Sequence, residues 1–155
     1  ALIAAAANIK AGVVSRDQFE KGERRKLNLG HTFAHAIETL AQNESSTLPA
    51  EEHHFPSGVT HGEAVAMGIV LAARLADRYY RNDCGETTAL EAKISNDLWD
   101  SDIPCYCPYS IEEMAETMKK DKKAEGGMIH FVLPKSIGEV ETVELTVEEV
   151  CRLMK

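Results

Sequence analysis

The hydrophobic residues of this chain recur with a helical period over most of its length. In residues 26–42 the apolar side chains of Leu27, Ile37 and Leu40 fall near the 3.6-residue repeat of an α-helix. Residues 62–80 are apolar on nearly every side through Leu75, which predicts a buried central helix. Further helices are predicted over residues 1–14 and 87–99, from residue 111 to about residue 120, and from residue 147.

Three helix starts carry a local capping pattern, and the period changes only late in the chain. Thr60–Glu63, Ser110–Glu113 and Thr146–Glu149 each place a hydroxyl residue three positions before a glutamate, which is the pattern of a capping box. Residues 128–134 and 139–145, separated by a short turn, predict two strands of a hairpin. The predicted fold class is therefore mainly α, with a small β hairpin late in the chain.

The composition fits a single domain over residues 1–155. The hydrophobic fraction of 44% and the charged fraction of 27% are typical of a soluble globular protein. No apolar run approaches the roughly 18 residues that a membrane span requires. The alanine-rich start lacks the basic region of a signal peptide and is typical of a helix cut out of a longer chain.

Charge and cysteine content exclude some function classes. The net charge of −8 argues against nucleic-acid binding. It leaves room for an anionic small molecule, because a local cluster of Lys and Arg can override the global sign. The four cysteines show neither zinc-ligand spacing nor the density of a disulfide scaffold, which predicts reduced thiols in a cytoplasmic protein. We expect no nucleic-acid partner and no membrane partner.

Three histidines are the candidates for chemistry. His31 and His35 are four residues apart, so on a helix they face the same way and can approach one ion or one substrate. His61 follows Thr60 at the first turn of the most apolar helix, where the helix dipole disfavours the imidazolium form. The residues alone leave three interpretations: a metal site, a proton-transfer site, or a polar face without a chemical role.

Cationic and amide side chains are predicted near the same histidines. Asn28 and Arg24 precede His31 by three and seven residues, which places them on its helix face if that helix begins early enough. Lys10 lies near the end of the first helix. The paired glycines after residue 125 predict a turn that presents Lys122 or its neighbour to an anion, whereas Lys119 and Lys120 fit a solvated face.

Several motifs together resemble one known family. "RRKLNLGHTFAHAIE", "HGEAVAMGIVLA" and "DKKAEGGMIHFVLPKSIG" are similar, in this order, to the C-terminal domain of 3-dehydroquinate synthase, the sugar phosphate cyclase of the shikimate pathway. The resemblance covers almost the whole chain. It implies a two-domain protein in which an N-terminal α/β domain binds NAD and a largely helical second domain corresponds to this chain.

The resemblance implies the roles of the histidines. His31 and His61 match the two metal-ligating histidines of the family. His35 matches a histidine that contacts the substrate and assists proton transfer around its phosphate. The third metal ligand would be a glutamate from the N-terminal part, upstream of Ala1, so two histidines here do not complete a catalytic zinc site.

The resemblance also implies a set of substrate contacts. Arg24 and Lys10 resemble residues that grip the carboxylate end of the substrate, and Asn28 resembles a hydroxyl-binding residue. Lys122 matches a lysine near the substrate phosphate. Asp17 and Glu20, in the acidic run before Arg24, are expected to orient the cations.

The implied reaction converts 3-deoxy-D-arabino-heptulosonate 7-phosphate to 3-dehydroquinate and phosphate. The resemblance implies NAD and a divalent metal as cofactors, Zn²⁺ or Co²⁺, with NAD bound mainly by the N-terminal domain. It also implies a homodimer for the full-length protein. We expect the 155-residue chain alone to be inactive and to bind metal weakly.

The chain departs from the family pattern in spacing. His31 and His61 are thirty positions apart, and residues 43–58 between them have the Ser, Pro and Glu content of an inserted surface loop. His53 and His54 in this stretch are expected to be exposed loop residues rather than ligands. Two alternatives for the function stay open: another sugar phosphate cyclase, of the 2-deoxy-scyllo-inosose or valiolone type, and a non-catalytic helical module.

Overall fold

The chain folds into helices packed around one long central helix, with a short hairpin at one side. The computed structural model describes residues 2–81, 88–122 and 127–155, with the backbone alone for residues 121 and 122. The predicted class, mainly α with a late hairpin, is confirmed. The elements are α1 (Leu2–Arg16), α2 (His31–Thr47), α3 (His61–Arg81), α4 (Ala89–Trp99), α5 (Ile111–Lys122), β1 (Met128–Ser136), β2 (Glu139–Thr146) and α6 (Val147–Met154), with 3₁₀ helices at Glu23–Asn28 and Ala50–Glu52.

Helix α3 is the centre of the core, as its apolar sequence predicts. It packs against α2, α4, α6 and β1, and most of its residues from Ala64 to Arg78 are buried. Phe33 of α2 and Phe131 of β1 are both 1% exposed, with ring centroids 5.4 Å apart, so they join α2 to the hairpin. In the described part of the chain, no helix combines the length and apolarity that a membrane span needs.

The last turns of α3 bind the neighbouring elements through polar side chains. The buried Asp77 carboxylate accepts hydrogen bonds from the Arg81 side chain and from the backbone amide of Leu90 in α4. Arg81 also donates to a backbone carbonyl in β1, and Arg78 donates to the carbonyl of Leu153 in α6 at 2.9 Å. This end of α3 therefore anchors α4, α6 and the hairpin.

The start of α2 lies directly on α3 because two glycines meet at their crossing. A Cβ atom added to Gly68 would lie 2.1 Å from the carbonyl oxygen of Gly30. Gly30 adopts a left-handed conformation with φ of 80°, and a Cβ there would lie 2.7 Å from the backbone nitrogen of Ile69. Only residues without a Cβ fit this approach.

The predicted start of the second helix at Lys26 is wrong. Residues Glu23–Asn28 form a 3₁₀ helix, and α2 begins at His31 after the left-handed Gly30. A left-handed residue interrupts the right-handed helix, so Arg24 and Asn28 do not continue the helix that carries His31.

The predicted loop over residues 43–58 is also wrong for its first five residues, because α2 continues to Thr47. The hydroxyls of Ser45, Ser46 and Thr47 each donate to the carbonyl four residues earlier, so these polar side chains find their partners within the helix. The remaining connection to α3 contains the short 3₁₀ helix Ala50–Glu52.

The three predicted capping boxes and the hairpin are confirmed. At Thr60–Glu63, Ser110–Glu113 and Thr146–Glu149 the glutamate accepts from the backbone amide of the hydroxyl residue, and the hydroxyl accepts from the glutamate amide. Strands β1 and β2 pair antiparallel, with Phe131 opposite Val143. These local signals position the N-terminus of α3 and hence His61.

Candidate active site

Three histidine rings gather where α2 and α3 begin. His31 is the first residue of α2, His35 follows one turn later, and His61 is the first residue of α3. The ring centroids of His31 and His61 are 5.3 Å apart, and those of His35 lie 6.2 Å from His31 and 6.5 Å from His61. The sequence-predicted histidines are thus brought together by the crossing of the two helices.

Hydrogen bonds distinguish the three rings. Nδ1 of His31 lies 3.3 Å from the carbonyl oxygen of Leu29, and Nδ1 of His61 lies 2.9 Å from a carboxylate oxygen of Glu38. Both acceptors bind a protonated Nδ1, so Nε2 keeps its lone pair in each neutral ring. His35 is exposed, and its ring makes no hydrogen bond with any residue that the structure describes.

A cavity of about 790 Å³ opens beside His31 and His35. It lies between α2, α5 and β1, and its size suits a small organic ligand. The hydroxyl of Thr32 donates to the carbonyl of His130 at 3.1 Å and ties α2 to β1 at this wall. The other lining residues are Asn28, Ala36, Glu38, Thr39, Gln42, Asn43, Thr117, Met118, Lys120 and Ile129.

The 3₁₀ helix before α2 brings Asn28 to this cavity but leaves Arg24 off its wall. Asn28 donates to the Glu20 carboxylate at 2.6 Å, and Arg24 lies 3.8 Å from the same carboxylate. Arg24 also donates to the carbonyl of Gln18 at 2.8 Å. Glu20 therefore contacts Arg24, one of the cations that it was expected to orient, and also Asn28.

Asp17 acts on the backbone of this segment instead of on a cation. Its carboxylate accepts hydrogen bonds from the backbone amides of Lys21, Gly22 and Arg24 at 3.0, 2.7 and 3.0 Å. These hydrogen bonds lower the pKa of Asp17 below its usual range. Asp17 thus fixes the turn that leads into the 3₁₀ helix.

The predicted lysines lie at the margin of the site or outside the described residues. Lys10 lies on α1, a helix with no buried residue, and it does not line the cavity in the described part. The side chain of Lys122 lies outside the described residues. Lys119 lies 3.3 Å from Glu148, as expected of a solvated lysine, whereas Lys120 lines the cavity.

Sequence reasoning missed three residues of the cavity wall: Glu38, Lys120 and His130. Glu38 follows His31 by seven residues and His35 by three, which is the spacing of one helix face, so its position could have been inferred. Lys120 and His130 come from α5 and β1, and no local signal relates them to α2.

The histidines of the stretch between α2 and α3 have partners of their own. Nδ1 of His54 lies 2.5 Å from Glu44, and Nε2 of His53 lies 3.0 Å from the carbonyl of Leu48. The His54 side chain is 45% exposed, and its ring packs against Tyr109 at a centroid distance of 5.1 Å. The pair attaches this connection to the end of α2.

His31 and His61 could each offer one imidazole nitrogen to a metal ion. Together they supply two of the ligands that such an ion needs. Zinc and cobalt bind neutral imidazole, which both rings offer through Nε2. Across residues 2–81, 88–122 and 127–155 no group of three His, Cys, Asp or Glu side chains is placed to hold a metal ion. A catalytic zinc ion takes three protein ligands, so these two imidazoles alone would not complete such a site.

Two solved structures share the fold of this chain. The first is 2-deoxy-scyllo-inosose synthase complexed with carbaglucose-6-phosphate, NAD⁺ and Co²⁺, with a TM-score of 0.61 at 20% identity over 94% of this chain and 37% of that one. The second is ValA, a 2-epi-5-epi-valiolone synthase from Streptomyces hygroscopicus subsp. jinggangensis 5008 with NAD⁺ and Zn²⁺ bound, with a TM-score of 0.61 at 22% identity over 92% of this chain and 35% of that one. The chain therefore has the fold of about a third of each of these two synthases.

Sequence comparison identifies the family. The family model described as 3-dehydroquinate synthase C-terminal matches residues 1–124, and the chain belongs to that family. The 3-dehydroquinate synthase of Xanthomonas oryzae pv. oryzae (strain PXO99A) is 42% identical over 141 residues, which are 91% of this chain and 35% of the relative. That of Pyrococcus abyssi is 35% identical over 147 residues, 95% of this chain and 38% of the relative. The chain spans about a third of the length of these curated relatives.

Proposed function

We propose that this chain is the metal- and substrate-binding part of a 3-dehydroquinate synthase. The whole protein converts 3-deoxy-D-arabino-heptulosonate 7-phosphate to 3-dehydroquinate and phosphate, a phosphorus–oxygen lyase reaction of the shikimate pathway. The observation that carries the proposal is the cluster of His31, His35 and His61, which meets at two helix starts beside a cavity of about 790 Å³. The names and the 35–42% identity of the curated relatives support the same function.

The metal site takes two of its ligands from this chain. His31 and His61 would hold Zn²⁺ or Co²⁺, because their Nδ1 atoms are engaged and Nε2 of each ring is left as the available nitrogen. When bound, the metal supplies Lewis-acid activation of a substrate hydroxyl, and NAD, held mainly by the N-terminal part of the whole protein, supplies reversible hydride transfer.

His35 moves protons at the substrate phosphate. Its ring is exposed on the cavity wall and is free of hydrogen bonds to described residues, so either nitrogen can take or give a proton. One turn of helix separates it from His31, so both rings can approach a single bound substrate. The residue therefore acts on the substrate and leaves metal binding to the other two histidines.

Substrate anions are bound around this histidine cluster in an otherwise acidic chain. Two helix N-termini converge there, and their partial positive charge favours an anion. Asn28 binds a substrate hydroxyl from the cavity wall, and Lys122, at the end of α5, binds the phosphate. Arg24 and Lys10 bind the carboxylate end when the rest of the site is assembled.

Two other functions fit the chain less well. Another sugar phosphate cyclase would share the fold, but the solved cyclases of the inosose and valiolone type are only 20–22% identical, and the 3-dehydroquinate synthases are 35–42% identical. A non-catalytic helical module has no need for three converging histidines. The proposal also includes a small phosphorylated sugar acid as substrate, a homodimer for the full-length protein and a cytoplasmic location.

A chimera tests the proposed function. This chain replaces the matching segment of the Xanthomonas oryzae enzyme, and phosphate release from the heptulosonate phosphate is followed with NAD and Zn²⁺. We expect activity in the chimera, its loss in His31→Ala and in His61→Ala, and its retention in the control His53→Ala. The isolated chain is expected to be inactive.

A folded chimera that binds NAD and Zn²⁺ yet releases no phosphate would contradict the assignment. Release of phosphate from a different sugar phosphate alone would favour the other cyclases.

A further inference from the structure

Among the residues that the structure describes, Glu38 makes the one polar contact that joins α2 and α3 within the histidine cluster. Its carboxylate on α2 lies 2.9 Å from Nδ1 of His61 on α3. The two side chains are 33% and 57% exposed, so the contact lies at the surface of the cavity wall. Glu38 makes no ion pair with any Lys or Arg among the described residues. His61 is therefore the charged or polar side chain with which its carboxylate interacts.

The position of Glu38 on α2 couples the two ligand histidines. Glu38 follows His31 by two helical turns and His35 by three residues, so all three side chains lie on one face of α2. The helix that carries His31 thus also carries the group that orients His61. Because α2 and α3 cross in backbone contact at Gly30 and Gly68, this relation is rigid.

The hydrogen bond selects one tautomer of His61. A carboxylate only accepts hydrogen bonds, so the proton of a neutral His61 ring lies on Nδ1 and the lone pair on Nε2. Histidines that bind metals usually donate their second ring N–H to a carboxylate or a carbonyl, and such partners fix both the tautomer and the angle of the ring. The carbonyl of Leu29, 3.3 Å from Nδ1 of His31, gives the other ring the same arrangement.

We propose that Glu38 is a positioning residue for the metal site, which holds the His61 ring in the Nδ1–H tautomer with Nε2 presented to the ion. The inference rests on the proposed function, because it takes His31 and His61 as metal ligands. Loss of such a partner typically lowers metal affinity by about 10–100-fold.

The test uses the 155-residue chain and reads the ring nitrogens directly. Nitrogen NMR of the histidine rings, recorded without metal at a pH where imidazole is neutral, reports which nitrogen of His61 carries the proton. A Zn²⁺ titration to millimolar concentration, followed on the His31 and His61 signals, then gives the affinity even when binding is weak. The variants are Glu38→Leu, Glu38→Gln and the control Glu44→Gln, which alters a carboxylate of the same helix that serves His54 instead.

We expect His61 to carry its proton on Nδ1 in the unaltered chain, and to change to a mixture of tautomers in Glu38→Leu. Zinc affinity is expected to fall about 10–100-fold in Glu38→Leu. Glu38→Gln, whose amide oxygen still accepts from Nδ1, is expected to keep the tautomer and most of the affinity. The control is expected to match the unaltered chain.

An unchanged tautomer or an unchanged zinc affinity in Glu38→Leu would overturn the role of Glu38 and leave the metal site standing. A chain whose His31 and His61 signals do not respond to Zn²⁺ at millimolar concentration would overturn the weak metal binding expected of these two histidines, and with it this inference.

Discussion

At the scale of single residues, two glycines determine whether the site exists. The carbonyl of Gly30 occupies the space where any side chain at position 68 would begin. That contact sets how closely α2 approaches α3, and hence the 5.3 Å separation of the His31 and His61 rings. The His31 and His61 rings therefore come this close because neither Gly30 nor Gly68 carries a Cβ atom.

Substitution of Gly68 by Ala tests this contact. The new Cβ, 2.1 Å from the Gly30 oxygen, has to push two backbones apart. Overpacking of this kind costs about 1–3 kcal/mol or more in the free energy of unfolding. Urea denaturation measures the loss.

Gly62→Ala on the same helix is the matched control. An added Cβ there has no atom within 4 Å, so the better helix propensity of Ala should raise the free energy of unfolding by up to about 1 kcal/mol. Equal stability of the two variants would contradict the importance of the crossing.

At the scale of elements, the segment between α1 and α2 is held in place mainly by the side chain of one residue, Asp17. Asp17 accepts from three backbone amides and so keeps the chain turned between α1 and the 3₁₀ helix Glu23–Asn28. Because Asn28 reaches the cavity from this short helix, Asp17 acts on the site through the backbone.

Replacement of Asp17 by Ala should loosen this segment alone. Hydrogen exchange of the amides of Lys21, Gly22 and Arg24 is expected to accelerate, because each loses its acceptor. The thermal midpoint of the whole chain should change little. Asp97→Ala, which removes a carboxylate bound only to exposed Lys93 on α4, is the control. Unchanged exchange at the three amides would show that Asp17 is not what holds the turn.

The elements also show which structural features the sequence could reveal. The capping boxes at Thr60, Ser110 and Thr146 were predictable because a capping box involves four consecutive residues. The start of α2 was not, because the left-handed conformation of Gly30 is imposed by its contact with Gly68 on another helix. The site divides in the same way. The three histidines follow from motifs, whereas Lys120 and His130 reach the cavity only through the packing of α5 and β1.

At the scale of the whole molecule, stability depends on carboxylates that are hydrogen-bonded in the folded state. Hydrogen bonds from Thr60, Ser110 and Thr146 lower the pKa of Glu63, Glu113 and Glu149. Burial alone would raise the pKa of Glu44, but the hydrogen bonds from His54 lower it overall. Each of these groups therefore binds protons less readily in the folded chain than in the unfolded one.

The free energy of unfolding should consequently fall in acid. A carboxylate with a lowered folded pKa contributes its full stability above the unfolded value, about 4.3 for Glu, and loses it as the pH falls from there toward the folded pKa. Urea denaturation between pH 7 and pH 3 measures this loss. In the triple variant Glu63→Gln, Glu113→Gln and Glu149→Gln, which keeps the acceptors but removes the titration, the acid loss should be smaller. An identical loss in the triple variant would rule out these three groups as its source.

Because α3 is long, the residues of the histidine cluster and the residues that anchor the neighbouring elements lie at opposite ends of it and can change independently in evolution. The helix spans 21 residues, or about 30 Å, from His61 in the histidine cluster to Arg81 at the end that anchors α4, α6 and the hairpin. Sequence change at the anchoring end alters stability without touching the histidines. Substitutions that compensate for a destabilising change in the histidine cluster are thus best sought around Asp77, whose contacts join α3 to α4 far from that cluster.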